Sequence, residues 1–173
     1  MLNSAKSFLN IPIVSLYNTS KIGSLLDFIV DPEQGKAVGI VGEKSGIFKK
    51  RVKVISVVDI RELSKEAIVV DNEDVLVSPN EIVKIDSILK QGIKIFNNKV
   101  VTEAGKFLGR VSDFLIDDLF YLVKILVNPS LTNIFTTQLI ISRDSILAVT
   151  KDEIIVKNDL EGIKEDVEVA EAA

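Results

Sequence analysis

Five aspartates are the side chains best suited to chemistry in this chain. Asp27 and Asp31 recur 86 positions later as Asp113 and Asp117, and Asp118 follows the second pair. Hard cations require several oxygen ligands, and acid–base catalysis requires paired carboxyls with separated proton affinities. Their placement favours a structural role instead. Asp27 and Asp113 fall in the middle of strand-like runs, and Asp31 and Asp117 fall at strand ends, where Asp initiates turns. The chain has no Cys and no His, which excludes disulfides, Cys/His zinc sites and every mechanism that needs a thiolate or an imidazole. No catalytic, cofactor-binding or metal-binding residue is assigned, no cofactor is expected, and a carboxylate-based enzyme or metal-dependent hydrolase is left as a minor alternative.

The second chemical feature is the basic stretch Lys44-Ser-Gly-Ile-Phe-Lys-Lys-Arg-Val-Lys53. Its counterpart, Leu131-Thr-Asn-Ile-Phe-Thr-Thr-Gln138, keeps Ile-Phe and has lost every charge. The candidate partner-binding residues are therefore Ile47, Phe48, Lys49, Lys50, Arg51, Lys53, Ile134 and Phe135. The lysines fit either a solvated hairpin that protects a strand edge or a contact with phosphate or an acidic partner. The Ile-Phe pairs fit either a plug over the open end of a barrel or a contact with a partner or a second copy of the chain.

These residues sit in a repeat. Residues 21–31, KIGSLLDFIVD, and 107–117, FLGRVSDFLID, share Gly, Asp, Phe and the final Asp and exchange aliphatic residues at four further positions. With one residue deleted in the second turn, Lys36-Ala-Val-Gly-Ile-Val41 falls on Tyr121-Leu-Val-Lys-Ile-Leu126; Ile60 falls on Ile146, and 67–70 on 153–156. The Val- and Ile-rich runs predict strands at 12–17, 22–31, 36–43, 52–57 and 67–70, then 99–102, 107–117, 121–127, 138–142 and 153–156. Gly23 and Gly109 lie inside strand patterns, where a bulge or sharp bend needs a missing side chain. The expected fold is all-β: two tandem small antiparallel barrels, at 1–77 and 93–158, joined by a short linker helix at 78–92. Ser78-Pro-Asn-Glu81 supplies a capping box for that helix, and Ile82, Ile85, Ile88 and Leu89 give it one buried face.

The formal charge of −4 lies in the tail: residues 157–173 hold six acids and two lysines, leaving 19 basic and 19 acidic residues in 1–156. A balanced body has no global field favouring nucleic acid. Residues 159–173 are expected to be an acidic, disordered tail. The longest uncharged run, Ile125 to Ser142, is interrupted by Asn-Pro-Ser and Thr-Thr-Gln, so no transmembrane segment is expected. The first ten residues lack the apolar core of a signal peptide, and a cytoplasmic location is expected.

Both copies resemble the PRC-barrel family, named for the cytoplasmic domain of the photosynthetic reaction-centre H subunit and found also at the C-terminus of the ribosome maturation factor RimM. Copy one carries the resemblance in Leu9-Asn-Ile-Pro-Ile-Val14, Ile22-Gly23, Asp27, Asp31-Pro32, Val57-Val-Asp-Ile60 and Ala67-Ile-Val-Val70. Copy two carries it in Val100-Val-Thr102, Gly105 to Gly109, Asp113, Asp117, Asp144-Ser-Ile146 and Ile154-Ile-Val156. The resemblance implies a non-enzymatic adaptor whose barrels dock an unidentified protein partner, and a homo-oligomer is compatible with it. The alternative it implies, by analogy with RimM, is an RNA-processing or ribosome-maturation factor that contacts a ribosomal protein or rRNA.

Overall fold

A computed structural model describes residues 1–45, 51–129 and 137–159 and is built mostly of strands, with one short α-helix. The first half supplies β1 (Asn3–Ser4), β2 (Pro12–Ser15), β3 (Ser20–Ser24), β4 (Asp27–Asp31), β5 (Lys36–Ser45), β6 (Arg51–Ser56), β7 (Ile60–Leu63) and β8 (Ile68–Val70). Helix α1 (Val83–Gln91) follows. The second half supplies β9 (Lys99–Thr102), β10 (Phe107–Ile116), β11 (Leu122–Pro129), β12 (Leu139–Ser142), β13 (Ile146–Val149) and β14 (Glu153–Val156). Among the described residues no helix is long and apolar enough to cross a membrane.

The sheets are curled, and both halves follow one strand order. The second half runs β12-β11-β10-β9-β14-β13, with β1 added against β10. The first half runs β4-β5-β6 in one sheet and β3-β2-β8-β7 in another. The expected strand 22–31 is interrupted at Leu25-Leu26; reading β3 and β4 as its two pieces makes the orders identical. The antiparallel expectation needs correction, because β2 pairs parallel with β8 and β9 pairs parallel with β14. Parallel neighbours need a long crossover, and here the intervening strands of each half provide it.

Some of the irregularities repeat with the strands. The pairing of β2 with β3 skips Ile22, between Gly23 and Lys21, and the pairing of β9 with β10 skips Leu108, between Gly109 and Phe107. Such a bulge bends the strand and raises its twist, which is how a short sheet curls. Gly109 has φ +150°, and a Cβ there would lie 1.9 Å from the Asn128 carbonyl oxygen; a Cβ on Gly23 would lie 2.4 Å from that of Gly42. The edge strands β7 and β13 are additions to the expected set. Each follows a 3-10 turn, at Val57–Asp59 and Arg143–Ser145.

One apolar core runs through both halves, from Phe8, Ile13 and Phe28 to Phe114, Ile125 and Ile154. At its centre the rings of Phe28 and Phe114, equivalent residues of the repeat, meet edge to face at 5.9 Å. Beside them Lys36 bridges Tyr121, again its own equivalent. The flanking hydrogen bonds are a symmetric pair: Ala37 N donates to Phe120 O and Leu122 N to Gly35 O, each at 2.8 Å. A local two-fold axis therefore passes between the halves.

The segments preceding each half are exchanged across that axis. The N-terminal β1 packs on β10 of the second half, with Asn3 opposite Ile116. Helix α1, which precedes the second half, lays Ile85 and Ile88 against Ile29, Val41 and Val54 of the first. Burial of these two isoleucines is worth about 1.5–3 kcal/mol each. The capping box sits on a 3-10 turn, Pro79–Glu81, ahead of α1, where Ser78 N donates to Glu81 Oε1 at 2.8 Å. Gly92, at φ +71°, ends the helix in the left-handed conformation that a Cβ disfavours.

Candidate functional site

The repeated aspartates are engaged with the backbone. Asp27 Oδ1 accepts from Phe28 N at 2.9 Å, and Asp113 Oδ1 accepts from Phe114 N at 2.7 Å and Lys6 N at 2.9 Å. Asp117 Oδ1 accepts from Leu119 N and Tyr121 N, and Asp31 Oδ1 from Glu33 N. Asp31 is fully buried, with Lys84 Nζ 2.9 Å from Oδ2. Burial pushes its carboxyl up, but the Lys84 ammonium and the N–H groups of Glu33 and Gln34 outweigh it and hold the group below the usual carboxylate range. Among the described residues no group of three or more acids is placed to hold a metal ion.

Of the partner-binding candidates, Ile47, Phe48, Lys49, Lys50, Ile134 and Phe135 lie outside the described residues. Arg51 opens β6 and pairs in the ladder with Ser45. Lys53, on the same strand, is half-buried, and its Nζ donates to Ser78 Oγ at 3.4 Å, tying β6 to the turn that starts the helix region.

A groove of about 300 Å³ lies where the sequence pointed to none. One wall is β7, contributing Ile60, Arg61, Glu62 and Leu63; the other is the β10–β11 turn of the second half, contributing Asp117, Asp118 and Phe120. Asn3 of β1 also lines it. Among the described residues β7 ends its sheet, paired with β8 on one side only, and an edge left so offers backbone donors and acceptors to an added strand. The volume falls at the lower end of the range of sites that enclose a ligand, about 300–1,000 Å³.

Its charge is one-sided. Arg61 is turned onto Asp71, donating from Nε to Oδ1 at 2.9 Å and from Nη2 to Oδ2 at 2.6 Å. This bidentate pair raises the Arg61 pKa and lowers that of Asp71. With Arg61 held by Asp71, the other charged side chains among the described lining residues are the carboxylates of Glu62, Asp117 and Asp118. One cation already sits there: the Met1 ammonium is 2.7 Å from Asp118 Oδ2, both groups being largely exposed.

The corresponding place in the other half is closed. There β13 faces the β4–β5 turn, but the space left is about 10 Å³, lined by Asp31, Pro32, Gly35, Arg143, Ile146 and Val149 among others. Arg143 fills it: its Nε lies 2.3 Å from where a Cβ on Gly35 would stand, and its Nη1 donates to Ile146 O at 3.2 Å. The equivalents of Arg143 and Gly35 are Val57 and Phe120, which cannot make that contact. Setting Ile60-Arg-Glu-Leu63 beside Ile146-Leu-Ala-Val149 would have exposed the divergence, since two charges in one copy are two apolar residues in the other. No family model matches the chain, and no curated protein matches it.

Proposed function

We propose that the protein is a non-enzymatic docking protein of the cytoplasm, built from two fused PRC-barrel-like halves, that holds a protein partner in the groove between β7 and the β10–β11 turn. The observation that carries this reading is the divergence of twin grooves within one duplicated fold: one is packed shut by Arg143, the other stands open beside a strand edge that is unpaired among the described residues. Open space and a free edge are costly features for a fold to keep, because an exposed edge invites aggregation. The absence of any thiol or imidazole from the sequence agrees with a binding role.

The test is affinity purification from the native cell at low and high salt, with a photo-crosslinking residue at position 62. A protein retained in high salt and cross-linked from that position is the expected result. Recovery of rRNA alone, leaving as salt rises, would overturn it in favour of an RNA-processing factor. Replacing Lys49, Lys50 and Arg51 by the Thr, Thr and Gln of the second copy should leave protein capture unchanged.

A further inference from the structure

Resting on that docking reading, we infer that the groove takes an extended cationic segment of its partner, which adds to the sheet as a strand along β7. The backbone argument comes from position in the sheet. The four residues of β7 are paired to β8 through Ile60, Glu62 and Leu63; all four line the groove, and among the described residues no strand pairs with the other edge. An added strand spans this edge with about 3.3 Å per residue and makes main-chain hydrogen bonds that need no particular side chains. Selectivity must then come from the walls.

The walls select positive charge. Glu62 is exposed on β7, and Asp118 is exposed on the opposite wall and already pairs with the Met1 ammonium. Asp117 adds a third carboxylate, and Arg61, the one basic residue among the described lining residues, is held by Asp71. Side chains alternate along a strand, so a segment with Lys or Arg at every second position places its cations on one face, toward Glu62 and Asp118, and its apolar residues toward Ile60, Leu63 and Phe120. The closed twin lacks this arrangement: the residues equivalent to Arg61 and Glu62 are Leu147 and Ala148, and Pro32 replaces Asp118.

Fluorescence anisotropy with labelled Lys-Val-Lys-Val-Lys-Val tests the inference. Binding to the full chain should be saturable and should weaken several-fold between about 50 and about 500 mM salt. Glu62→Lys with Asp118→Lys should weaken it by roughly tenfold or more, since like charges then face each other. Both positions are exposed, and circular dichroism verifies the fold. Two further peptides need no protein variant: one N-methylated at the Lys amides, one at the Val amides. A strand pairs through one edge, so one of these should lose binding and the other keep it. Equal binding of both, or equal binding of oligolysine, would overturn strand addition in favour of charge attraction alone. A concentration-dependent dimer that excludes the peptide would overturn it in favour of a second copy of this chain. Absence of peptide binding while position 62 still cross-links a partner would overturn this inference and leave the docking reading standing.

Discussion

Three glycine substitutions separate the ways in which a backbone position can demand a missing side chain. Gly105 has φ +80° with nothing within 4 Å of an added Cβ, so Gly105→Ala brings conformational strain alone, about 1 kcal/mol. Gly23 is not in the left-handed region, but its Cβ would stand 2.4 Å from the Gly42 carbonyl oxygen, so Gly23→Ala brings overpacking, about 1–3 kcal/mol. Gly109 combines φ +150° with a Cβ position 1.9 Å from Asn128 O and 2.8 Å from Asn128 C. Both obstacles are backbone atoms, which no rotamer change can move. Adding strain to overpacking gives roughly 3–5 kcal/mol for Gly109→Ala. Equilibrium urea unfolding, with the m-value checked for constancy, measures all three. At about 2–4 °C per kcal/mol for a chain of this size, the Gly109 variant should melt some ten degrees lower, at roughly the product of those values. An order of destabilisation other than Gly109 > Gly23 > Gly105, or a Gly109 variant within about 0.5 kcal/mol of the parent, would refute the reasoning.

The remaining predictions concern the contact between the halves and its charges. A double-mutant cycle of Phe28→Leu and Phe114→Leu should return a coupling of about 0.5–1.5 kcal/mol in urea unfolding; zero coupling would mean that the rings do not support one another. Asp31→Asn should be less stable than the parent near neutral pH. Because the folded pKa of Asp31 is depressed, its contribution is present above the unfolded value, about 3.9, and is lost as pH falls through the folded one, so the stability gap should close on acidification below about pH 4. Lys84 is shifted the opposite way, upward, by its hydrogen bond to Asp31, so the same gap should also close as pH rises beyond about 10.4 and through its folded pKa. A gap independent of pH would remove the ion pair from the explanation.

The duplication was legible because its most constrained positions are set by the backbone. Gly109 cannot carry a Cβ beside Asn128, and Asp27, Asp113, Asp31 and Asp117 satisfy main-chain N–H groups, so these residue types recur while the aliphatic ones drift. Strands β7 and β13 were not legible. Their pairing slips between Ile60 and Glu62 and between Ile146 and Ala148, so the two-residue alternation that marks a strand is broken after its first position. The shared core escaped for another reason: periodicity reveals that Phe28 and Phe114 are buried, but not that each is buried against the other. The groove was hidden similarly, since it joins Ile60–Leu63 to Asp117 and Asp118, far apart in the chain. Basic residues 49–51 drew attention because charge contrast is visible without structure; the smaller contrast between Arg61-Glu62 and Leu147-Ala148 is equally visible, but gains meaning only once both pairs are known to occupy a sheet edge.

The paired hydrogen bonds Ala37 to Phe120 and Leu122 to Gly35 have the self-complementary form of an isologous contact between identical subunits. Two copies of a half-length chain could make it, but each would carry the same residues at every position, and a change that sealed one groove would seal both. Joining the copies in one polypeptide removes that constraint. Arg143 can occupy its niche over Gly35 while Val57 and Phe120 leave the other side unobstructed. Covalent fusion thus permits a symmetric scaffold to keep one of two equivalent grooves open and the other closed, where a symmetric pair would have offered two alike.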